Sequence, residues 1–184
     1  MTTRKVRRLN REIIATGVVE VGFDALTITS LAEHLGVVHA SLYRHVANRD
    51  ELVALGVDHL LAQVVWHDDD LDLDWRPYLE GQAWTLWGLL EAHPGLSSEM
   101  AVLESPPSAL KARQAHVAAR LEALGFVPED AALAVDTVYD LPFDVFIRSA
   151  VINQARAQQD PGRDWFARKL DLVLAGIEVR LAPG

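Results

Sequence analysis

Cysteine is missing from all 184 residues. Its absence removes disulfides, thiol nucleophiles and cysteine-based zinc sites, and it fits a reducing cytoplasm. No apolar run is long enough to span a bilayer, so no membrane partner is expected. Arg4 to Arg8 followed by Ile13–Val19 faintly imitates a signal peptide, but Glu20 breaks the run and no small-residue cleavage site follows. Sustained apolar/polar alternation with turn pairs such as Asn-Gly is lacking, which argues against a β protein. The marks of catalysis are lacking too: there is no Gly-x-Ser-x-Gly, no phosphate loop, no dinucleotide fingerprint and no His-Glu-x-x-His. No catalytic residue and no cofactor are therefore expected. The acidic run His67-Asp68-Asp69-Asp70 with Asp72 and Asp74 lacks the glycine turn and closing glutamate of a calcium loop. It reads as a solvated linker, and no metal site is expected.

What is present is helix-forming and hydrophobic. Half of the residues are apolar, enough for a sizeable core and against disorder. Periodicity and breakers place helices near 4–21, 28–35, 39–46, 49–66, 76–93, 96–104, 107–124, 129–156 and 162–181. Pro94-Gly95, Pro106-Pro107, Gly125 to Pro128 and Asp160 to Gly162 supply the later breaks. The expected fold is all-α with about nine helices.

A net charge of −9 hides an asymmetry. Residues 1–50 hold seven Lys/Arg against five Asp/Glu, whereas residues 51–184 hold ten against twenty-one. A basic head on an acidic body suits a molecule of which only the head meets phosphate.

That head contains the most telling stretch, Gly22 to Leu52. Leu31, Ala32 and Leu35 mark one face of a short helix. Gly36 follows where a helix ends in a left-handed residue. Val37 plugs the corner, and Leu42 and Val46 mark the buried side of a second helix. His39, Ser41, Tyr43, Arg44 and His45 fall outside that buried pair. Helix–turn–helix geometry carries such a second helix into the major groove, where arginine grips guanine edges and Ser, Tyr and His serve bases or phosphates. Asn48 to Glu51 opens the next helix with an Asn-x-x-Glu capping pattern. The candidate DNA-contacting set is Thr27, Thr29, His39, Ser41, Tyr43, Arg44, His45 and Arg49. Tyr43 and Arg49 are assigned to phosphate, and His39, Ser41 and Arg44 to bases.

The order Gly22-Phe23-Asp24-Ala25-Leu26-Thr27, Leu31-Ala32, Leu35-Gly36-Val37, Leu42-Tyr43-Arg44-His45-Val46, Asn48 to Leu52 resembles the TetR family of transcriptional regulators. With Leu9 to Glu12 it is most similar to heads of the tetracycline-repressor type. Two positions depart from the pattern. Thr29 stands where that branch carries a base-reading arginine, and Val38, which cannot cap, stands where Ser or Thr often opens the recognition helix. The resemblance implies a DNA-binding domain at 1–48 and a ligand-binding and dimerisation domain at 49–184. It also implies that the fourth helix is a lever, and that helices eight and nine of two subunits form a four-helix bundle.

In the body, Trp84, Trp87, Met100, His116, Tyr139, Phe143 and Phe146 are the candidate lining of a mostly apolar cavity, with Gln82, Thr85 and Asn153 among its polar groups. Pro142 is expected to kink the eighth helix. The last helix carries a stripe at Phe166, Leu170, Val173, Leu174, Ile177 and Leu181, and the eighth a similar face at Leu133, Val135, Val138 and Leu141.

The expected function is a cytoplasmic, non-enzymatic repressor. It would bind a palindromic double-stranded DNA operator as a homodimer and answer to a small, mostly apolar or aromatic effector. Two alternatives stand beside it: a DNA-binding regulator without a ligand, and a small helical carrier or enzyme with a vestigial head.

Overall fold

The computed structural model describes residues 9–66, 73–153 and 162–181. The acidic run His67 to Asp72, the Arg4 to Arg8 arm and the side chains of Asn153 and Leu181 lie outside what is described. The described residues form nine helices and no strand. These are α1 (Arg11–Val21), α2 (Ile28–Leu35), α3 (His39–Leu42), α4 (Arg49–Leu61), α5 (Trp75–Ala92), α6 (Leu96–Val102), α7 (Ser108–Ala123), α8 (Pro128–Asn153) and α9 (Gly162–Leu181). None is long and apolar enough to cross a membrane.

The helices gather into two compact units. One runs through Val64 and takes in Val102–Leu110; the other holds Val65–Ala101 and Lys111 onward. A head closing at residue 48 leaves out α4, yet α4 is part of the first unit's core. It buries Leu52, Val53, Gly56, Val57, Leu60 and Leu61 and packs against α1.

Local chemistry sets most helix ends in the first unit. Asn10 accepts a hydrogen bond from the Ile13 N–H at 2.8 Å, so α1 starts there and not at residue 4. Thr27 and Ser30 cap α2 reciprocally, each side chain accepting from the other's backbone N–H. Gly36 ends α2 with φ 65°, and its N–H returns to the Ala32 carbonyl. Asn48 caps α4 by accepting from the Glu51 N–H at 2.8 Å.

The expected span 39–46 for the second helix of the motif is too long. α3 has one turn, and residues 43–45 continue as turn. Val46 still donates to the Leu42 carbonyl, which brings it back into the core beside Leu42. Val38 opens α3 without a side-chain cap and is 69% exposed.

In the second unit α5 packs on α8 and α9, and α8 on α9. α5 buries Tyr78, Leu79, Gln82, Ala83, Leu86, Trp87 and Leu90. Pro142 is buried within α8, which runs on as one helix to Asn153. The stripe on α9 divides into two faces. Phe166, Leu170 and Leu174 are fully buried inward. Val173 and Ile177 instead line a groove of about 270 Å³ between α8 and α9, with Leu133, Ala134 and Leu172.

Candidate nucleic-acid interface

A frame of polar ties holds the surface around α3. Arg11 on α1 donates through Nη1 to the His45 carbonyl at 2.6 Å and pairs with Glu51 Oε1 at 2.7 Å. Glu51 Oε2 accepts from the Ala47 N–H at 2.6 Å. The Ala47 N–H and the Arg11 guanidinium hold the Glu51 carboxyl below its ordinary value, so it stays charged. These ties fasten the turn after α3 to α1 and to the start of α4. His34 Nε2 lies 2.8 Å from Glu20 Oε2 and ties α2 to α1.

On that frame Thr29, His39, Tyr43 and Arg44 are exposed, Tyr43 by 54%. Arg44 Nη2 donates to Ser41 Oγ at 2.9 Å, so two of the expected base readers form one polar pair. Ser41 and His45 are half-buried. Two members of the set have structural work as well. The Thr27 hydroxyl accepts from the Ser30 N–H and donates to Ser30 Oγ, which uses its hydrogen-bonding capacity on the α2 cap. Arg49 is half-buried and donates through Nη2 to the Leu26 carbonyl at 3.2 Å.

Sequence reasoning met Arg11 only within the Leu9 to Glu12 resemblance, and Val38 only as a residue that cannot cap. The Asn-x-x-Glu pattern pointed to Glu51, but only as a cap. Nothing local announces Arg11, because its partners lie 34 and 40 positions away.

The expected effector-binding residues separate in the second unit. Trp84 and Trp87 pack with Phe166, and Phe146 joins them through Trp87. The Trp87 ring stacks on Phe166 at 4.6 Å and meets Phe146 at 4.7 Å, while Trp84 meets Phe166 edge-on at 4.8 Å. These rings fill one another's space. Met100 and Phe143 are half-buried, and His116 is exposed on α7. Tyr139 is 1% exposed and stands with a polar group instead: its hydroxyl donates to Gln82 Oε1 at 3.1 Å. Arg113 joins the same oxygen through Nε at 3.2 Å and Nη2 at 2.8 Å. Arg113 was not foreseen, since α7 reads as a mixed polar helix. Among the described residues no group of three or more His, Cys, Asp or Glu is placed to hold a metal.

Residues 18–55 match the family model described as "Bacterial regulatory proteins, tetR family". Over 65 residues the chain is 42% identical to the tetracycline repressor protein class A from transposon 1721 of Escherichia coli. That match covers 35% of this chain and 30% of the repressor, so the chain spans about a third of the length of the curated relatives it matches. Whole-chain likeness is structural. A crystal structure of a single-residue variant of TetR from Acinetobacter baumannii AYE, in complex with minocycline, superposes with TM-score 0.79 at 23% identity, over 95% of this chain and 99% of that one. BioQ with its natural double-stranded DNA operator matches with TM-score 0.69 at 22% identity, over 92% and 98%. At these identities the two structures establish the all-helical fold.

Proposed function

We propose that the chain, whose head matches the TetR family of bacterial regulatory proteins, is a DNA-binding transcriptional regulator, a homodimeric repressor released by a small effector. The observation that carries this reading is the braced, solvent-facing surface of Thr29, His39, Tyr43 and Arg44 on a head that matches the family model. The frame from Arg11 to Glu51 holds that surface in place, so a groove would be met with little reorganisation. BioQ, with the same fold, has been solved with its operator.

A single α3 turn reads few bases, which favours pairing of two heads about 34–36 Å apart on a palindrome. The α8/α9 groove supports that pairing. Val173 and Ile177 line it, and Leu133 and Leu172 stand 50% and 75% exposed beside it. A second copy of the chain related by a two-fold axis would cover this apolar face. An effector would act by favouring the state whose heads are wrongly spaced. The minocycline complex of a like-folded protein supports an effector. A ligand-free regulator is the second reading, favoured by the ring-on-ring packing of Trp84, Trp87, Phe146 and Phe166.

Selection of binding sites from random DNA, followed by gel shift, tests the reading. The parent should enrich a palindrome. Arg44→Ala should lose about 1–3 kcal/mol on it and relax discrimination at one position in each half-site. Failure to enrich any sequence refutes the regulator. Equal loss on selected and random DNA moves Arg44 to phosphate.

A further inference from the structure

Val38 leads into α3 and is 69% exposed. Its backbone explains how. At helical dihedrals Val38 would stand one turn before Leu42 and share its buried face. Its φ of −83° and ψ of 150° are extended and take the side chain off that face. Its carbonyl meanwhile accepts from the Ser41 N–H at 2.8 Å, which fixes it to the first turn. The side chain is thus held out in solvent by an anchored backbone. His39 and Ala40 beside it are exposed as well.

For stability alone valine is a poor choice at this place. It cannot cap a helix, and so exposed it gains little from burial. The same unit caps its other helices: Asn10, Thr27 and Asn48 each accept from the N–H three residues on, at 2.8, 2.9 and 2.8 Å. α3 starts with no side-chain cap. What valine does offer is a compact pair of methyl groups with no donor and no acceptor.

In a helix–turn–helix the residues that open the second helix meet base edges. Thymine alone among the four bases presents an apolar group in the major groove, its C5 methyl, and small apolar side chains are the ones that meet it. The polar part of the same surface is separate, since Arg44 and Ser41 form one hydrogen-bonded pair. We infer that the Val38 side chain reads the C5 methyl of a thymine in each half-site, at a base pair other than the one Arg44 meets. The contact is apolar and asks nothing of the N–H groups of so short a helix. This deepens the regulator proposed above and rests on that reading, because it names a base that the operator must contain.

The experiment uses the full chain and the palindrome selected from random DNA. Synthetic copies carry deoxyuridine for thymidine, one position at a time in both half-sites. Deoxyuridine keeps every hydrogen-bonding edge of the base and lacks only the methyl. The parent should bind one such copy about four-fold more weakly for each half-site, the worth of one methyl taken from water. Val38→Ala should bind the unmodified palindrome more weakly by a similar factor and be indifferent to that methyl. Val38→Ser should melt no lower than the parent, because it can cap α3, yet show the same indifference. Val38→Thr, which keeps one of the two methyls, should keep part of the dependence.

A methyl also bears on the shape and stiffness of the duplex, which are read as energy. The coupling between the protein and DNA deletions therefore decides the matter. Equal methyl dependence in the parent and in folded Val38→Ala or Val38→Ser overturns the inference and assigns the effect to the duplex or to another side chain. Indifference of the parent to every methyl overturns it, as does a palindrome with no fixed thymine; in both cases the regulator still stands. Selection of no sequence at all sinks the regulator and this assignment together.

Discussion

Gly56 lies midway along α4, on the face that packs against α1, and a single added methyl there should cost the first unit much of its margin. A Cβ built on Gly56 falls 2.4 Å from Val18 Cγ1 and 3.0 Å from Val18 Cβ. Carbon atoms in contact sit at about 3.5–4.0 Å, so the overlap exceeds about 1 Å. Val18 has nowhere to go: it is 0% exposed, and a β-branched side chain in a helix has one strongly preferred rotamer. The helices must therefore part, at a cost near the upper end of the usual overpacking penalty, about 3 kcal/mol. Replacing a helical glycine by alanine returns about 1 kcal/mol. The net loss is about 2 kcal/mol, or a fall in Tm of about 4–8 °C for a chain of this length. Gly88 is the control, because it is exposed on α5 and a Cβ there meets nothing within 4 Å. Gly88→Ala should stabilise by about 0.4–1 kcal/mol. Thermal and urea melts of both variants read the difference. Adding Val18→Ala to Gly56→Ala should recover part of the loss, as a coupling between touching residues. A Gly56→Ala protein that gains stability as Gly88→Ala does would refute the close approach of α1 and α4.

Three further outcomes are expected. Ile177→Asp places a charge in the apolar α8/α9 groove, so it should give monomers that keep their helical signal; sedimentation of a folded dimer would put the interface elsewhere. Asp58 on α4 caps the start of α7, accepting from Ser108 Oγ at 2.8 Å and the Ala109 N–H at 2.9 Å, so Asp58→Ala should cost about 1 kcal/mol in a urea melt and Asp58→Asn less. Burial pushes Tyr78 and Tyr139 up to about 12 from 10.0. The folded chain thus holds protons that the unfolded chain releases, and this stabilisation is whole below pH 10 and lost as pH rises through 12; unfolding free energy measured across that window should fall, less steeply in Tyr139→Phe.

Much of the head was legible because its signals are short-range. The left-handed Gly36 and the Asn48 cap each depend on residues within four positions, and a one-dimensional pattern carries such information intact. The same holds for the spans of α2 and α9, whose ends are set by capping or breaking residues beside them. Where caps compete or are weak, the reading slipped: Asn10 was overlooked as the start of α1, and α3 stopped after one turn.

Whatever depended on which faces meet was decided only in three dimensions. Periodicity showed that α9 is apolar on one side, yet it could not divide Phe166, Leu170 and Leu174, which face inward, from Val173 and Ile177, which line the groove. Composition made His116 a plausible polar liner of a cavity, and packing left it exposed; the tryptophans offered as lining are filled in by Phe146 and Phe166. Arg11 reaches Glu51, Gly56 makes room for Val18, and Gln82 gathers Arg113 and Tyr139 across 31 and 57 positions. Local propensity and capping energies act along the chain and were therefore written in its order. The approach of one helix to another is set by the shapes of whole faces packed to near-crystalline density, which no short window of sequence contains.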